Sequence, residues 1–448
     1  MYITDNELTP MQIVSVIQDY KQREVPRLLK FSNYYQGKQK ILQRSYSDPN
    51  KPCNKIVTNF MYSIVKNYQG YLTGIPIRYN NDDEALDDVM RYNDYKTEDS
   101  DLMKDLLIFG EAYEIEYIDE DSKIRFKQFS PLECIPVYRN TLDEQFNAVI
   151  RFYKIKLTDE LSDEWFVEVY DDEKKVTYSS TPGFASLTFI AEEPNYFNQV
   201  PITRFKIEDS IFKQVIDLQD AYNSILSDSI DDFDAFADAY LMLKGMSGTT
   251  SEDIAQMKED RVLLLDADGD ANFLVKSMAD AQTQERLDKI EEKIYKIANC
   301  VDFYNDGFMA GAASGTALRF RIIGMENNAS TIESAFTKGL QKRIELIYSI
   351  FSMTEGEDLW RDVEITFTRN LPNLTTPQTP MEIMAYRNFV SDKTLLGLLA
   401  FVESPEDEIR EVREQLSMSL YNFPTPTVED EDDRETEERR EVSRVTEG

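Results

Sequence analysis

Apolar residues recur at helical spacing over residues 11–35, where Ile13, Val16, Ile17 and Tyr20 share a face, and Thr9 with Pro10 supplies a cap and a first-turn proline. The same period returns over 54–72 (Ile56, Phe60, Ile64, Tyr68, Tyr71) and stops at Gly74-Ile75-Pro76. A shorter helix is predicted over 99–109, ended by Gly110. The period then changes to two. Residues 113–118 alternate, 119–122 are a polar turn, and 124–129 alternate again, which predicts a hairpin. Further strands are predicted at 134–138, 148–153, 165–170, 176–179 and 186–190, so that residues 110–205 read as an antiparallel β region.

Helical spacing resumes at Ile207 and persists through Ile211, Val215, Leu218, Tyr222, Ile225 and Ser229, with Phe233, Phe236, Tyr240 and Leu243 continuing the stripe. Residues 245–251 interrupt it. A small β element follows, from Arg261 to Leu265, an Asp268-Gly269 turn and Phe273 to Val275. From residue 281 onward Leu287, Ile290, Ile294, Ile297 and Val301 are spaced 3-4-3-4, the seam of a helix lying on a helix. After a small-residue stretch at 305–315, a long helix is predicted over 316–353, a strand over 363–368, a linker at 371–380, and helices at 381–389, 395–401 and 406–420. The class is α+β.

The 448 residues suggest two to four folding units, and 42% apolar content is ample for a core. The mean hydropathy of −0.48 fits a soluble protein. Charge changes the picture more: 49 basic residues stand against 83 acidic ones, a net of −34, and there is no histidine. That absence removes Ser-His-Asp and Cys-His catalysis, His-ligated zinc and His-based pH switching. Cys53, Cys134 and Cys300 have no CxxC spacing and read as free thiols of a reducing compartment. The N-terminus has no basic or apolar targeting region, and no apolar run approaches the roughly 18 residues of a membrane span. Residues 428–448 hold ten acids and four arginines and read as a disordered acidic tail.

Candidate chemistry is sparse. Asp266-Ala267-Asp268-Gly269-Asp270 suggests a calcium loop, but the sixth position is Ala271 and the twelfth Ser277, where Gly and Glu are needed. Neither a P-loop nor a nucleophile elbow is present. Asp228, Asp231, Asp232, Asp234 and Asp238 on one helix read as a solvated acidic face. They would also suit a two-metal hydrolase if a second acidic cluster converged on them, or a channel wall if the helix lined a passage. The stretch Gly307, Phe308, Met309, Ala310, Gly311, Ala312, Ala313, Ser314 reads as a flexible link, or as a loop free to change shape inside a cavity.

The order of elements resembles the portal proteins of tailed bacteriophages, the branch found in long-tailed phages of Gram-positive hosts. Local strings carry the resemblance: NFMYSIVKNYQGYLTGIP at 59–76, FGEAY at 109–113, SPLECIPVY at 130–138, DSIDDFDAFADAYLMLKG at 228–245, SGTALRF at 314–320 and Gly324-Met325-Glu326. It covers about residues 10–420. What it implies is a portal fold: a wing of helices plus antiparallel sheet (1–206 and 354–376), stem helices at 207–243 and 279–303, and a small α/β clip at 244–278. A tunnel loop at 304–316, a long wing helix at 317–353 and a helical crown at 377–424 complete it, ahead of the tail at 425–448. The resemblance further implies a ring, usually of twelve subunits, at one capsid vertex of the virion, made in the host bacterial cytoplasm. Double-stranded DNA passes through such a ring during packaging and ejection. Terminase and head-completion or adaptor proteins dock on it, and it meets the major capsid and scaffolding proteins. No enzyme activity, cofactor, metal or membrane is implied.

On that resemblance Gly307 to Ser314 would face the DNA, Asp228, Asp231 and Asp232 would line the channel, and Arg261, Asp266, Asp268 and Asp270 would lie in the docking clip. The charge suits a conduit. Duplex DNA carries one negative charge per roughly 1.7 Å of axis, so an acidic wall repels it and leaves no deep electrostatic well. A metal-dependent carboxylate hydrolase and a head–tail adaptor other than the portal are the rival readings; the chain's length and the insert between two helices speak against the adaptor.

Overall fold

A computed structural model describes residues 2–49, 51–81, 83–155, 164–237, 240–244, 250, 252, 270–274, 280–302, 315–355, 359–370, 390–397, 402 and 404–421. The chain divides into two units, Met1–Asn370 and Leu371–Gly448. The second unit contains the helices Asp392–Gly397 and Pro405–Tyr421. The rest of the description concerns the first.

Helix α1 (Pro10–Arg23) starts as expected, with a capping box: the Thr9 amide donates to Gln12 Oε1 at 2.9 Å and Thr9 Oγ1 accepts from the Gln12 amide at 3.4 Å. The expected single helix to residue 35 is two, because Pro26 lies in the first turn of α2 (Val25–Tyr35) and cannot donate to the preceding turn. Helix α3 (Phe60–Thr73) begins six residues later than its apolar period suggests, and residues 52–59 have no regular secondary structure. Helices α4 (Glu84–Tyr92) and α5 (Tyr95–Phe109) follow. Gly110 closes α5 with φ 82, and a Cβ there would sit 2.8 Å from the Asp209 backbone, so only glycine fits.

The predicted hairpin forms, between β3 (Glu111–Ile118) and β4 (Ile124–Phe129), with Tyr113 opposite Phe129 and Ile118 opposite Ile124. The return strand β10 (Ile202–Lys206) completes a three-stranded sheet. The remaining strands belong to a separate six-stranded sheet, β1-β5-β6-β7-β8-β9. Here β1 (Tyr2–Ile3) runs parallel to β5 (Cys134–Tyr138), and β6 (Phe146–Ile155), β7 (Glu164–Tyr170), β8 (Lys174–Ser180) and β9 (Leu187–Pro194) extend it antiparallel. The late strand β13 (Glu364–Thr366) pairs with β2 (Arg78–Asn80), joining distant parts of the chain.

Helix α8 (Gly315–Glu355) has 41 residues, about 60 Å at 1.5 Å per residue. Its Ile344, Ile347 and Tyr348 share a buried cluster with Leu86 and Met90 of α4 and Ile124 and Phe126 of β4. In the middle of this apolar contact lies a cation. Arg343 is fully buried, its Nε and Nη2 donate to the Glu114 carboxylate at 2.5 and 2.8 Å, and its Nη1 donates to Asp99 at 2.6 Å. Tyr79 donates to Asp99 at 2.7 Å, and the guanidinium lies 4.5 Å from the centre of the Phe126 ring. Strand alternation ordinarily turns its apolar side to the core. β3 is covered on both faces: Tyr113 packs into an apolar cluster with Phe129 and Val149, while Glu114 and Glu116 are buried on the face that holds the guanidinium.

Glu116 takes a 2.7 Å hydrogen bond from Thr203, but its Oε2 has no partner. Burial, and secondarily the neighbouring Glu114, hold its carboxyl well above the usual range. A raised carboxyl favours the folded state only while protonated, so this group's contribution to stability falls as pH rises above about 4.5. Glu116→Gln should therefore gain stability relative to the natural chain as pH increases from about 4.5 to neutral, read as a widening Tm difference. Arg343→Met should cost about 3–5 kcal/mol, since it strands two buried carboxylates, and should be seen as a lowered denaturation midpoint.

Candidate functional site: the paired helices and their acidic face

Helix α6 (Ile216–Ala237) contains six aspartates and no lysine or arginine. It is shorter than its apolar stripe implied. Residues 207–212 precede it without helix, and Tyr240 and Leu243, expected on the same helix, belong to strand β11 (Tyr240–Lys244). That strand pairs antiparallel with β12 (Asp270–Leu274), Lys244 opposite Asp270. Pairing with a distant strand outweighs the local period. Helix α7 (Asp280–Ile297) packs on α6 through Leu287 and Ile294, both buried. Of the expected seam, Ile297 is exposed and Val301 lies past the helix end.

The most buried stripe of α6 is polar. Gln219, Asn223 and Ser227 are fully buried and Asp231 is 6% exposed, whereas Leu218, Tyr222 and Ile225 are only half-buried and Phe233 is 59% exposed. The cause is the neighbour. Residues 54–60 run along this stripe in the opposite direction, and alternate amides donate to successive side chains. Asn54 N reaches Asp231 at 2.6 Å, Ile56 N reaches Ser227 at 3.0 Å, Thr58 N reaches Asn223 at 3.0 Å, and Phe60 N reaches Gln219 at 3.2 Å. Two residues of extended chain advance about 6.6 Å and four helical residues about 6 Å, so the two repeats stay in step. The ladder meets the need of a covered backbone for hydrogen-bond partners. Beyond it, Asn223 donates to Gln39 at 2.5 Å, and the Phe60 ring meets Tyr222 and Tyr295 edge-on at 5.0 and 5.9 Å, tying the strap to α6 and α7 together.

The three candidate wall acids fare differently. Asp231 is the ladder's terminal anchor: besides the Asn54 amide it takes Asn54 Nδ2 at 2.9 Å and Arg44 Nη2 at 3.2 Å. Its carboxylate is buried against its own chain. Asp228 is ion-paired to the same Arg44 and its side chain is 60% exposed. Asp232 is exposed. Arg44 in turn lies 4.7 Å from the centre of the Tyr46 ring. Asp270 is in β12, while Arg261, Asp266, Asp268 and the whole stretch Gly307 to Ser314 fall outside the described residues. A hydrolase would need carboxylates converging on a metal; among the described residues no three His, Cys, Asp or Glu side chains do so. Two of the aspartates are instead spent on an arginine. Cys134 and Cys300 are buried free thiols and Cys53, just before the strap, is half-buried.

Sequence reasoning missed the ladder, although its signal is present: Gln219, Asn223, Ser227 and Asp231 repeat at intervals of four, each a short or flexible acceptor. Apolar periodicity draws attention to the wrong face of such a helix.

Residues 14–420 match the family described as phage portal protein, SPP1 Gp6-like. The chain belongs to that family, whose members are structural and serve DNA packaging. It is 23% identical over 372 residues to the portal protein of Bacillus phage SPP1, covering 78% of this chain and 73% of that protein. It is 24% identical over 383 residues to the portal protein of Clostridium phage phiCD119, covering 77% and 82%. Among solved structures it is similar to a chain of the virion of a native gene transfer agent particle (TM-score 0.44, 12% identity, 90% of this chain and 98% of that one). A chain from the neck of such a particle, computed with C12 symmetry, gives a TM-score of 0.42 at 13% identity over 78% of this chain and 88% of that one.

Replacing the anchor tests the ladder. Asp231→Ala should lower stability by about 1–3 kcal/mol, because the Asn54 amide and Arg44 lose their partner, and a thermal melt would register it. Asp232→Ala, on the exposed side, should stay within about 0.5 kcal/mol of the natural chain.

Proposed function

We propose that this portal protein works as a ring of its own copies, twelve by the family's habit, at one capsid vertex of the virion. Double-stranded DNA enters and leaves through the bore. The observation that carries the reading is the match to portal proteins along residues 14–420. The surface of α6 supports it: the strap occupies its polar stripe, which leaves half-covered apolar side chains and exposed aspartates on the remaining faces.

In this reading the wing is residues 1–206 with 354–376, the stem helices fall within 207–243 and 279–303, and the crown is 377–424. The clip at 244–278, with Arg261, Asp266, Asp268 and Asp270, receives terminase during packaging and adaptor proteins afterwards. The loop Gly307 to Ser314 touches the moving duplex. Asp228 contributes negative charge to the passage, which holds DNA away from the wall without a binding well. The work of the protein is positional: it offers a smooth passage and a docking platform, and the motor chemistry belongs to its partners.

Twelve copies of a −34 chain repel one another, so closure needs both local complementarity and screening of the long-range field. Negative-stain images of the purified protein should show rings with an axial hole wide enough for duplex DNA; compact single particles under every condition would overturn the reading. Native mass spectrometry should find the ring fraction rising as ionic strength increases to about 0.15 M, where the Debye length is about 8 Å. A ring fraction that falls over that range would contradict the repulsion argument.

A further inference from the structure

Charge is unevenly spread along this acidic chain. Residues 21–66 contain ten lysines and arginines against only Glu24 and Asp48, a net of +8 within a protein of −34. Six of the cations, Lys30, Lys38, Lys40, Lys51, Lys55 and Lys66, are exposed, and none forms an ion pair with a described carboxylate. Within the same segment Arg23 pairs with Asp19 and Arg27 with Glu24. The six lysines settle for weaker partners. Lys51 lies 3.9 Å from the centre of the Tyr46 ring, Lys66 lies 5.9 Å from that of Tyr62, and Lys55 donates to the Leu42 carbonyl at 3.1 Å.

The segments that carry them are in contact. The Tyr35 and Tyr62 rings meet at a tilt of 31° with centroids 5.5 Å apart, and Lys55 reaches Leu42, so the end of α2, the loop after it, the strap and the start of α3 form one continuous surface. Leu29, Leu42 and Tyr62 stand exposed among the lysines at 44, 42 and 47%. A cationic surface with apolar side chains set into it has the make-up of an interface, where apolar contact supplies adhesion and charge supplies register.

Its complement is present on the same chain. Helix α6 has six aspartates and no cation; the strap binds the 219–223–227–231 stripe and, through Asn54, Asp234, leaving Asp217 and Asp232 exposed together with Phe233. We propose that the lysine strip of one copy docks against the acidic α6 face of the next copy around the ring, a head-to-tail contact that repeats until it closes. The proposal rests on the ring reading given above. It explains how strongly acidic copies close at all: over distances beyond the Debye length salt screens the net repulsion, while at contact the facing surfaces are of opposite sign.

A charge-swap experiment on the full chain tests it. Lys38→Glu/Lys40→Glu/Lys51→Glu reverses the strip, and Asp217→Lys/Asp232→Lys reverses the α6 face; all five positions are exposed, and thermal melts should match the natural chain. Native mass spectrometry at 0.15 M salt should find rings for the natural chain and at least a tenfold smaller ring fraction for either variant alone. An equimolar mixture should restore rings with the two variants in equal number, since only alternation brings opposite charges together. Rings of undiminished abundance from the lysine variant alone overturn the proposal. So does a loss that mixing does not repair. A lysine variant that keeps its rings but no longer retains a fluorescent duplex oligonucleotide assigns the strip to DNA and overturns it as well. A natural chain that forms no rings at any ionic strength fails differently: it refutes the ring reading itself.

Discussion

A single guanidinium joins the parts of the first unit. Arg343 sits in the C-terminal third of the 41-residue helix α8 and binds Glu114 of the hairpin and Asp99 of α5, with Tyr79 of β2 closing the network. Taking such a group out of water costs several kcal/mol per ion, and replacement by apolar side chains often stabilises a fold. Its use here is therefore best understood as specification. Apolar side chains of α8 would accept many rotations and shifts against β4 and α4, whereas a bidentate Arg–carboxylate pair accepts one. Glu116 beside it, raised and with one oxygen unpartnered, is the cost left over from placing three carboxyl groups around one cation.

The same economy governs α6. A strap without regular structure lies against a helix, and its amides need acceptors that no strand supplies. Gln219, Asn223, Ser227 and Asp231 provide them at the one spacing where helix and extended chain keep step. In both places polar groups are buried to fix which segment lies where, and apolar area is left for other surfaces. An α6 with an ordinary apolar inner face would have buried Leu218, Tyr222 and Ile225, which here stay half-exposed.

Much of the architecture was legible in the sequence. The Thr9 cap, the 113–129 hairpin, the Gly110 stop and the long helix are local signals, and the structure repeats them nearly residue for residue. What failed depended on distant partners. Tyr240 and Leu243 extend a helical period but meet Leu274 and Ala271 in a sheet. Ile56 looks like a helix position but lies in a strap whose ladder only exists once α6 is beside it. Asp231 shares its spacing with exposed neighbours, and nothing in the spacing distinguishes the one that Asn54 and Arg44 cover. The +8 segment at 21–66 was countable from the start, but a whole-chain charge of −34 hides it.

The strap makes α6 incapable of turning on its own axis. Each helical residue rotates the face by about 100°, so a shift of one position would carry all four acceptors away from their amides at once. A push along or across this helix therefore moves residues 54–60, α3 behind them and, through Gln39, the loop after α2. Helix α6 and the N-terminal helices act as one lever, and a load placed on either is delivered intact to the other.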